Sequence, residues 1–200
     1  LLVKEIYKYL SDRLSAKKAE LDCLIKQIEE KNDRTEQFCY IREAFDACTY
    51  QWHFLNDDFV SKECFDLWEE RKGSHLYSTA SIYEALKIAK SILKKADECA
   101  FLIEEIDIVL PLIKDGIKKY FIENDKVKRG CDDYNADISN LSIAVPFEVF
   151  EAEDDLVKNT VKEIEEKLKL PNGGYLRYEG DNYMGGNAWI ISSLWLAMYY

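Results

Sequence analysis

Glycine and proline are scarce in this chain, with 8 and 3 residues among 200. Average usage of the two together is about 12 %. So few turn formers cannot build the many tight reversals of a sandwich, a β-barrel or a propeller. Histidine is rarer still, present only as His53 and His75. The six cysteines are Cys23, Cys39, Cys48, Cys64, Cys99 and Cys131, and no two stand at C-x-x-C spacing. A zinc site is therefore not expected, and no metal or cofactor is assigned. Positive charge is also short: 27 basic against 38 acidic side chains leave a net −11. Phosphate binding needs a basic face, so nucleic acid and anionic membranes are excluded as expected partners. Long apolar runs are missing as well. The cleanest, Ala188 to Tyr200, contains Ser192 and Ser193 and falls short of the roughly 20 apolar residues of a membrane span. Lys4 and Glu5 follow Leu1-Leu2-Val3 at once, leaving no signal-peptide core. Scattered cysteines predict reduced, helix-borne, half-buried thiols in a cytoplasmic protein.

What is present is apolar and helical. Hydrophobic residues make up 48 % and aromatics 13 %, which excludes a disordered segment. Apolar positions recur at three and four in Val3, Ile6, Tyr7, Leu10 and Leu14, then in Leu21, Leu24, Ile25 and Ile28. Phe38, Ile41, Phe45, Cys48, Trp52 and Leu55 continue the pattern, with His53 expected to pack in the core. Ser78 or Thr79 offers an N-cap to a helix carrying Ile82, Leu86, Ala89, Leu93 and Ala96. Phe101 to Phe121 reads as a longer helix that Pro111 kinks or restarts. The polar stretch 122–136 reads as a loop with a short extended piece. Asp154 or Asp155 opens an amphipathic helix through Lys169, with Val157, Val161, Ile164 and Leu168 inward. Asn187 is the expected cap of the last helix. The sum is an all-α chain of roughly seven helices, read as one domain over residues 1–200. It begins at Leu1 rather than Met and stops at Tyr200 inside an apolar helical pattern, so a truncated domain is expected.

Chemistry is concentrated in two loops. In Asp66-Leu67-Trp68-Glu69-Glu70, three carboxylates flank an indole. Lost solvation beside the indole and mutual repulsion both raise a carboxyl pKa toward that of a general acid. On composition alone the segment also reads as a solvated acidic turn with Trp68 as a core plug. His75 lies soon after and can line the same pocket as Glu69. The second loop, Asn172 to Trp189, holds five of the eight glycines. Such density points to unusual backbone conformations or a close approach. Arg177 and Asp181 can pair and fix a guanidinium fork. Tyr175, Tyr178, Tyr183 and Trp189 supply the flat faces that suit a sugar ring. A tight helix–helix connection is the plainer reading of that loop. No phosphate-cradling glycine motif occurs.

These loops resemble the glucoamylase family, glycoside hydrolase family 15. The likeness rests on Asp66-Leu67-Trp68-Glu69-Glu70 with Gly73, His75 and Thr79-Ala80; on Asp137-Ile138-Ser139-Asn140-Leu141 with Pro146-Phe147; and on Gly173-Gly174, Arg177-Tyr178, Asp181, Tyr183, Gly186-Asn187 and Trp189. It runs from about residue 60 to the end. The resemblance implies an (α/α)6 toroid, of which this chain carries about half, with the active site in loops at one end. It implies inverting, exo-acting hydrolysis of α-glucosidic bonds in α-glucan, maltooligosaccharide or trehalose. By position, Glu69 resembles the general acid. Glu70 and Arg177 would bind sugar hydroxyls, Trp68 would form a wall of the pocket, Leu67 would contribute backbone, Asp181 would orient Arg177, and Trp189 is a substrate-binding candidate. His75 joins them as a substrate-binding candidate. An inverting enzyme also needs a base carboxylate about 6.5–9.5 Å from the acid. The resemblance places that base outside these residues, so the chain alone is expected to be inactive. An exposed apolar edge is expected where the rest of the barrel docks, with self-association through it. The competing expectation is a non-catalytic, glucoamylase-like sugar-sensing domain, resembling those of phosphorylase kinase regulatory subunits.

Overall fold

The computed structural model describes Gln51 and residues 53–96 and 100–200. The expected helices before Gln51, together with Trp52, Cys23, Cys39, Cys48 and Cys99, lie outside the described residues. The described part is helix-rich, and its strands are only two residues long. Helix α1 spans Leu76–Ala96 and α2 spans Ala100–Phe121. Helix α3 spans Asp155–Lys167 and α4 spans Ile190–Tyr199. A 3-10 helix covers Ile138–Ile143.

The described residues fall into two compact units, Gln51 and 53–59 with 85–96 and 100–112, and 60–84 with 113–200. In the first, Leu55, Leu86, Leu93, Leu102 and Ile106 are fully buried. His53 is exposed in a turn there, not packed in the core as expected. Leu55, two residues on, takes the inward position instead.

The second unit carries the two loops. Its core joins Ala136, Ile138 and Leu141 to Val161 and Ile164 of α3, to Leu168 just after it, and to Trp195 and Leu196 of α4. Val157, Val161, Ile164 and Leu168 all face inward, as the periodicity predicts, although α3 ends at Lys167. The Trp195 indole donates to the Val145 carbonyl at 2.7 Å, which satisfies its one polar atom. The opposite face of α4 leaves Ile190, Ile191, Leu194 and Met198 at least half exposed. It is an apolar edge of the kind expected.

Three boundary expectations are corrected. Helix α1 starts at Leu76, ahead of Ser78 and Thr79. Thr79 does not cap it: its hydroxyl donates back to the His75 carbonyl at 2.9 Å and its Oγ accepts the Ser61 N–H at 3.0 Å. Helix α2 runs without interruption through Pro111. Pro111 is exposed, and the expected restart of the helix there does not occur. Trp189, not Asn187, occupies the N-cap of α4, because the Asn187 amide is drawn to the Met184 carbonyl.

Strands β1 (Cys64–Phe65) and β2 (Lys72–Gly73) pair antiparallel, Cys64 opposite Gly73 and Phe65 opposite Lys72. They form the stem of the first loop. Strands β3 (Ile122–Glu123) and β4 (Lys126–Val127) make the short extended piece expected after α2. Cys64 and Cys131 are free and half-buried, but neither is on a helix: one sits in β1, the other in a loop. Among the described residues no helix is long and apolar enough to cross a membrane. No cluster of ligating side chains that could hold a metal occurs among them.

Candidate active site

The first loop is organised by Asp66. Its Oδ1 accepts the backbone N–H groups of Glu70 at 2.8 Å and Arg71 at 3.2 Å, and its Oδ2 accepts Arg71 Nη1 at 2.9 Å. The Asp66 N–H donates to the Arg71 carbonyl at 2.8 Å and closes the loop. Burial pushes the Asp66 carboxyl up, but the Glu70 N–H and the Arg71 guanidinium outweigh it and hold the group below its ordinary value. Asp66 is thus spent on the shape of the loop.

Glu69 lies at the apex with φ +58°, in the left-handed region. A residue with a Cβ adopts it at a cost of roughly 1–2 kcal/mol. The conformation persists because the loop around it is over-determined by Asp66. Its effect is to separate three consecutive side chains. Trp68 turns inward, with its indole N–H on the Asp137 carboxylate. Glu69 is left exposed. Glu70 meets Arg177 and Tyr178.

The second loop is organised by an ion pair. Arg177 Nε and Nη2 each lie 2.9 Å from an oxygen of Asp181, a bidentate fork, with both residues buried. The Tyr183 N–H donates to the same carboxylate at 3.1 Å. The Asp181 carboxylate raises the Arg177 guanidinium further above its already high value. Burial opposes ionisation of Asp181, yet the bonds from Arg177 and Tyr183 hold it below its ordinary value. Four rings surround the guanidinium carbon: Trp189 at 4.6 Å, Tyr178 at 5.1 Å, Tyr183 at 5.3 Å and Trp68 at 5.4 Å. Cation–π attraction on several sides adds to the rigidity of the fork.

The two loops meet at Glu70. Its Oε1 lies 3.0 Å from Arg177 Nη2, and its Oε2 accepts the Tyr178 hydroxyl. Burial and this carboxylate push the Tyr178 phenol up. The Arg71 guanidinium carbon lies 4.1 Å from the Tyr178 ring centre, and Arg71 Nη2 is 3.6 Å from the same Glu70 oxygen, Oε2.

Of the residues singled out from the sequence, Trp68, Glu70, Arg177, Asp181 and Trp189 come together. Glu69 stands beside them at the loop apex, and Leu67 packs against the core cluster. His75 does not join. It is 7 % exposed, and its Nε2 lies 3.1 Å from the Arg71 carbonyl at the base of the loop. The small cavity it borders includes Trp68, Arg129 and Asp137 but not Glu69. Sequence reasoning missed Arg71 and Arg129, and it saw Asp137 only as a motif letter. The signal for Asp137 was local: an Asp-x-Ser step ahead of an apolar run, where the Asp137 Oδ1 accepts the Ser139 N–H at 2.8 Å. Nothing local marks its bond to Trp68.

Solved glycosidases share this fold. One, in complex with glucose, superposes with a TM-score of 0.62 at 15 % identity, covering 96 % of this chain and 62 % of that one. A wild-type glycosidase gives 0.61 at 18 %, covering 80 % and 48 %. The family model described as glycosyl hydrolases family 15 matches residues 34–200, and the chain belongs to that family. An uncharacterized glycosyl hydrolase of Methanocaldococcus jannaschii is 34 % identical over 141 residues, 68 % of this chain and 23 % of that protein. Trehalase 2 of Sulfolobus acidocaldarius is 32 % identical over 159 residues, 72 % of this chain and 26 % of that protein. The chain spans about a quarter of the length of these two relatives.

Proposed function

We propose that the full-length protein hydrolyses α-glucosidic bonds, with inversion and from the non-reducing end, and that Glu69 is the general acid. The observation that carries this reading is the isolation of Glu69. Asp66 and Glu70 both pair with guanidinium groups, whereas Glu69, between Trp68 and Glu70 in sequence, is exposed at the left-handed apex of the loop. Its proton goes to the glycosidic oxygen as the bond to the anomeric carbon breaks. Arg177 and Glu70 bind sugar hydroxyls, with Asp181 fixing the fork so that little is lost in ordering it on binding. Trp68 and Trp189 present flat faces to the ring, and Leu67 contributes backbone. The base that activates water is assigned to no residue of this chain.

The substrate set is α-glucan, maltooligosaccharide and trehalose, the last supported by the relative named a trehalase. The remainder of an (α/α)6 toroid covers the exposed face of α4. A cytoplasmic setting fits the free thiols of Cys64 and Cys131. Glucose release from trehalose, maltose and soluble starch by the full-length protein and its Glu69→Gln variant tests the reading. The variant is expected to lose at least about a hundredfold in kcat, the scale of general-acid catalysis. An unchanged rate overturns the assignment of Glu69. No hydrolysis of any of the three by the unaltered protein favours the sugar-sensing alternative.

A further inference from the structure

We propose that Asp137 is a positioning residue of the site: it ties the two loops together and fixes the plane of the Trp68 indole. The carboxylate is 1 % exposed. Capping the 3-10 helix uses one oxygen, which takes the Ser139 N–H at 2.8 Å. A cap alone does not need the second oxygen buried. That oxygen takes the Trp68 Nε1–H at 3.0 Å, across 69 residues of sequence, with the capping oxygen 3.2 Å from the same N–H. Arg129 Nη1 lies 3.5 Å from the second oxygen and balances the charge.

The backbone at the same place joins the other loop. The Ile138 N–H donates to the Arg177 carbonyl at 2.9 Å and the Glu179 N–H to the Ala136 carbonyl at 2.8 Å, so Asp137 pairs directly with Tyr178. Arg129 adds a third strut. Its Nε is 2.6 Å from Asp133, and its guanidinium carbon is 5.1 Å from the Tyr178 ring centre. Asp137 therefore holds the first loop through its side chain, while the residues on either side of it, Ala136 and Ile138, hold the second through their main chain. Trp68 is only half-buried. Without the bond to Asp137 its indole keeps ring contacts but no directional one, so its plane against Arg177 is no longer set.

The catalytic consequence rests on the site reading above; the tether is testable without turnover. In the full-length protein labelled with 15N-tryptophan, the Trp68 indole N–H signal is assigned by its loss in Trp68→Phe. Asp137→Ala is expected to speed hydrogen exchange of that N–H at least tenfold. Asp137→Asn, which keeps one acceptor oxygen, is expected to fall between it and the unaltered protein. On trehalose, maltose or starch, Asp137→Ala is expected to lower kcat/KM about tenfold with the melting transition still cooperative, and Asp137→Asn to recover part of it. In the Trp68→Phe background Asp137→Ala is expected to cost less than about threefold more. Unchanged exchange of the Trp68 N–H, or fully multiplicative losses in the double variant, overturns the proposal. If Asp137→Ala does not fold, Asp137→Asn decides by the same exchange measurement. If the unaltered protein hydrolyses none of the three, the site reading fails while the exchange result still decides the tether.

Discussion

The loops Asp66–Arg71 and Asn172–Trp189 reach the same place by different physics. The first has no glycine and is shaped by one carboxylate bonded to two backbone N–H groups and a guanidinium. It accepts a strained φ at Glu69, the residue proposed to do the chemistry. The second carries its positive φ angles mostly on glycine, at Gly173, Gly174, Gly180, Gly185 and Gly186. Its shape comes from a buried ion pair and packed rings. A short loop can be held by a single side chain that replaces missing ladder bonds. A long one needs a buried anchor, because each added residue brings backbone entropy to offset.

That contrast can be broken from either side. The largest effect is expected at the buried anchor. Asp181→Ala leaves Arg177 buried with its Nε unpartnered, and loss of one member of such a pair costs about 3–5 kcal/mol, read from denaturant or thermal unfolding. Gly174→Ala comes next. A Cβ there would meet the Ala188 Cβ at 2.6 Å on a backbone of φ +77°, so a loss of about 2–3 kcal/mol is expected. Asp66→Ala frees a half-buried loop and should cost about 1–2 kcal/mol, but it should abolish most activity because Glu69 loses its fixed apex. Gly180→Ala at φ +82° meets nothing within 4 Å and should cost only about 1 kcal/mol, the backbone penalty alone. Equal losses for Gly174→Ala and Gly180→Ala would show that close approach plays no part in the second loop.

Acid unfolding sharpens the same comparison. Asp66 and Asp181 are both held below their ordinary values by bonds to the charged form. Their contribution is fully present above the unfolded carboxylate pKa of about 3.9 and is lost as pH falls through the lower folded values. Asp137 runs the other way. Burial pushes it above its ordinary value despite the Ser139 and Trp68 bonds, so ionising it costs stability as pH rises through the folded value. A pH–stability profile of Asp181→Asn should lose part of the acid-side slope, whereas Asp137→Asn should not.

Much of this was legible along the chain. The inward face of α3 follows from spacing alone, because residues three and four apart share one side of a helix. The Arg177–Asp181 pair is legible for a different reason: a separation of four residues in a glycine-rich loop leaves a fork and a carboxylate within reach of each other. Along the chain Asp66, Glu69 and Glu70 are a cluster of three carboxylates, and the structure gives Asp66 and Glu70 different partners and leaves Glu69 exposed. His53 lies exposed in a turn and not in the core, because helical spacing alone does not fix where a helix ends. The cap at Asn187 failed because a side chain that caps well also bonds well inside a turn.

The sequence by itself determined the helical pattern, the two loops, the Arg177–Asp181 fork and the family to which they belong. These rest on periodicity and short spacings, which the backbone enforces locally. Only the tertiary structure decided that Tyr178 would reach Glu70 over 108 residues and Trp68 would reach Asp137 over 69. Contacts at such separations depend on how buried surfaces fit together, and no local spacing encodes that fit.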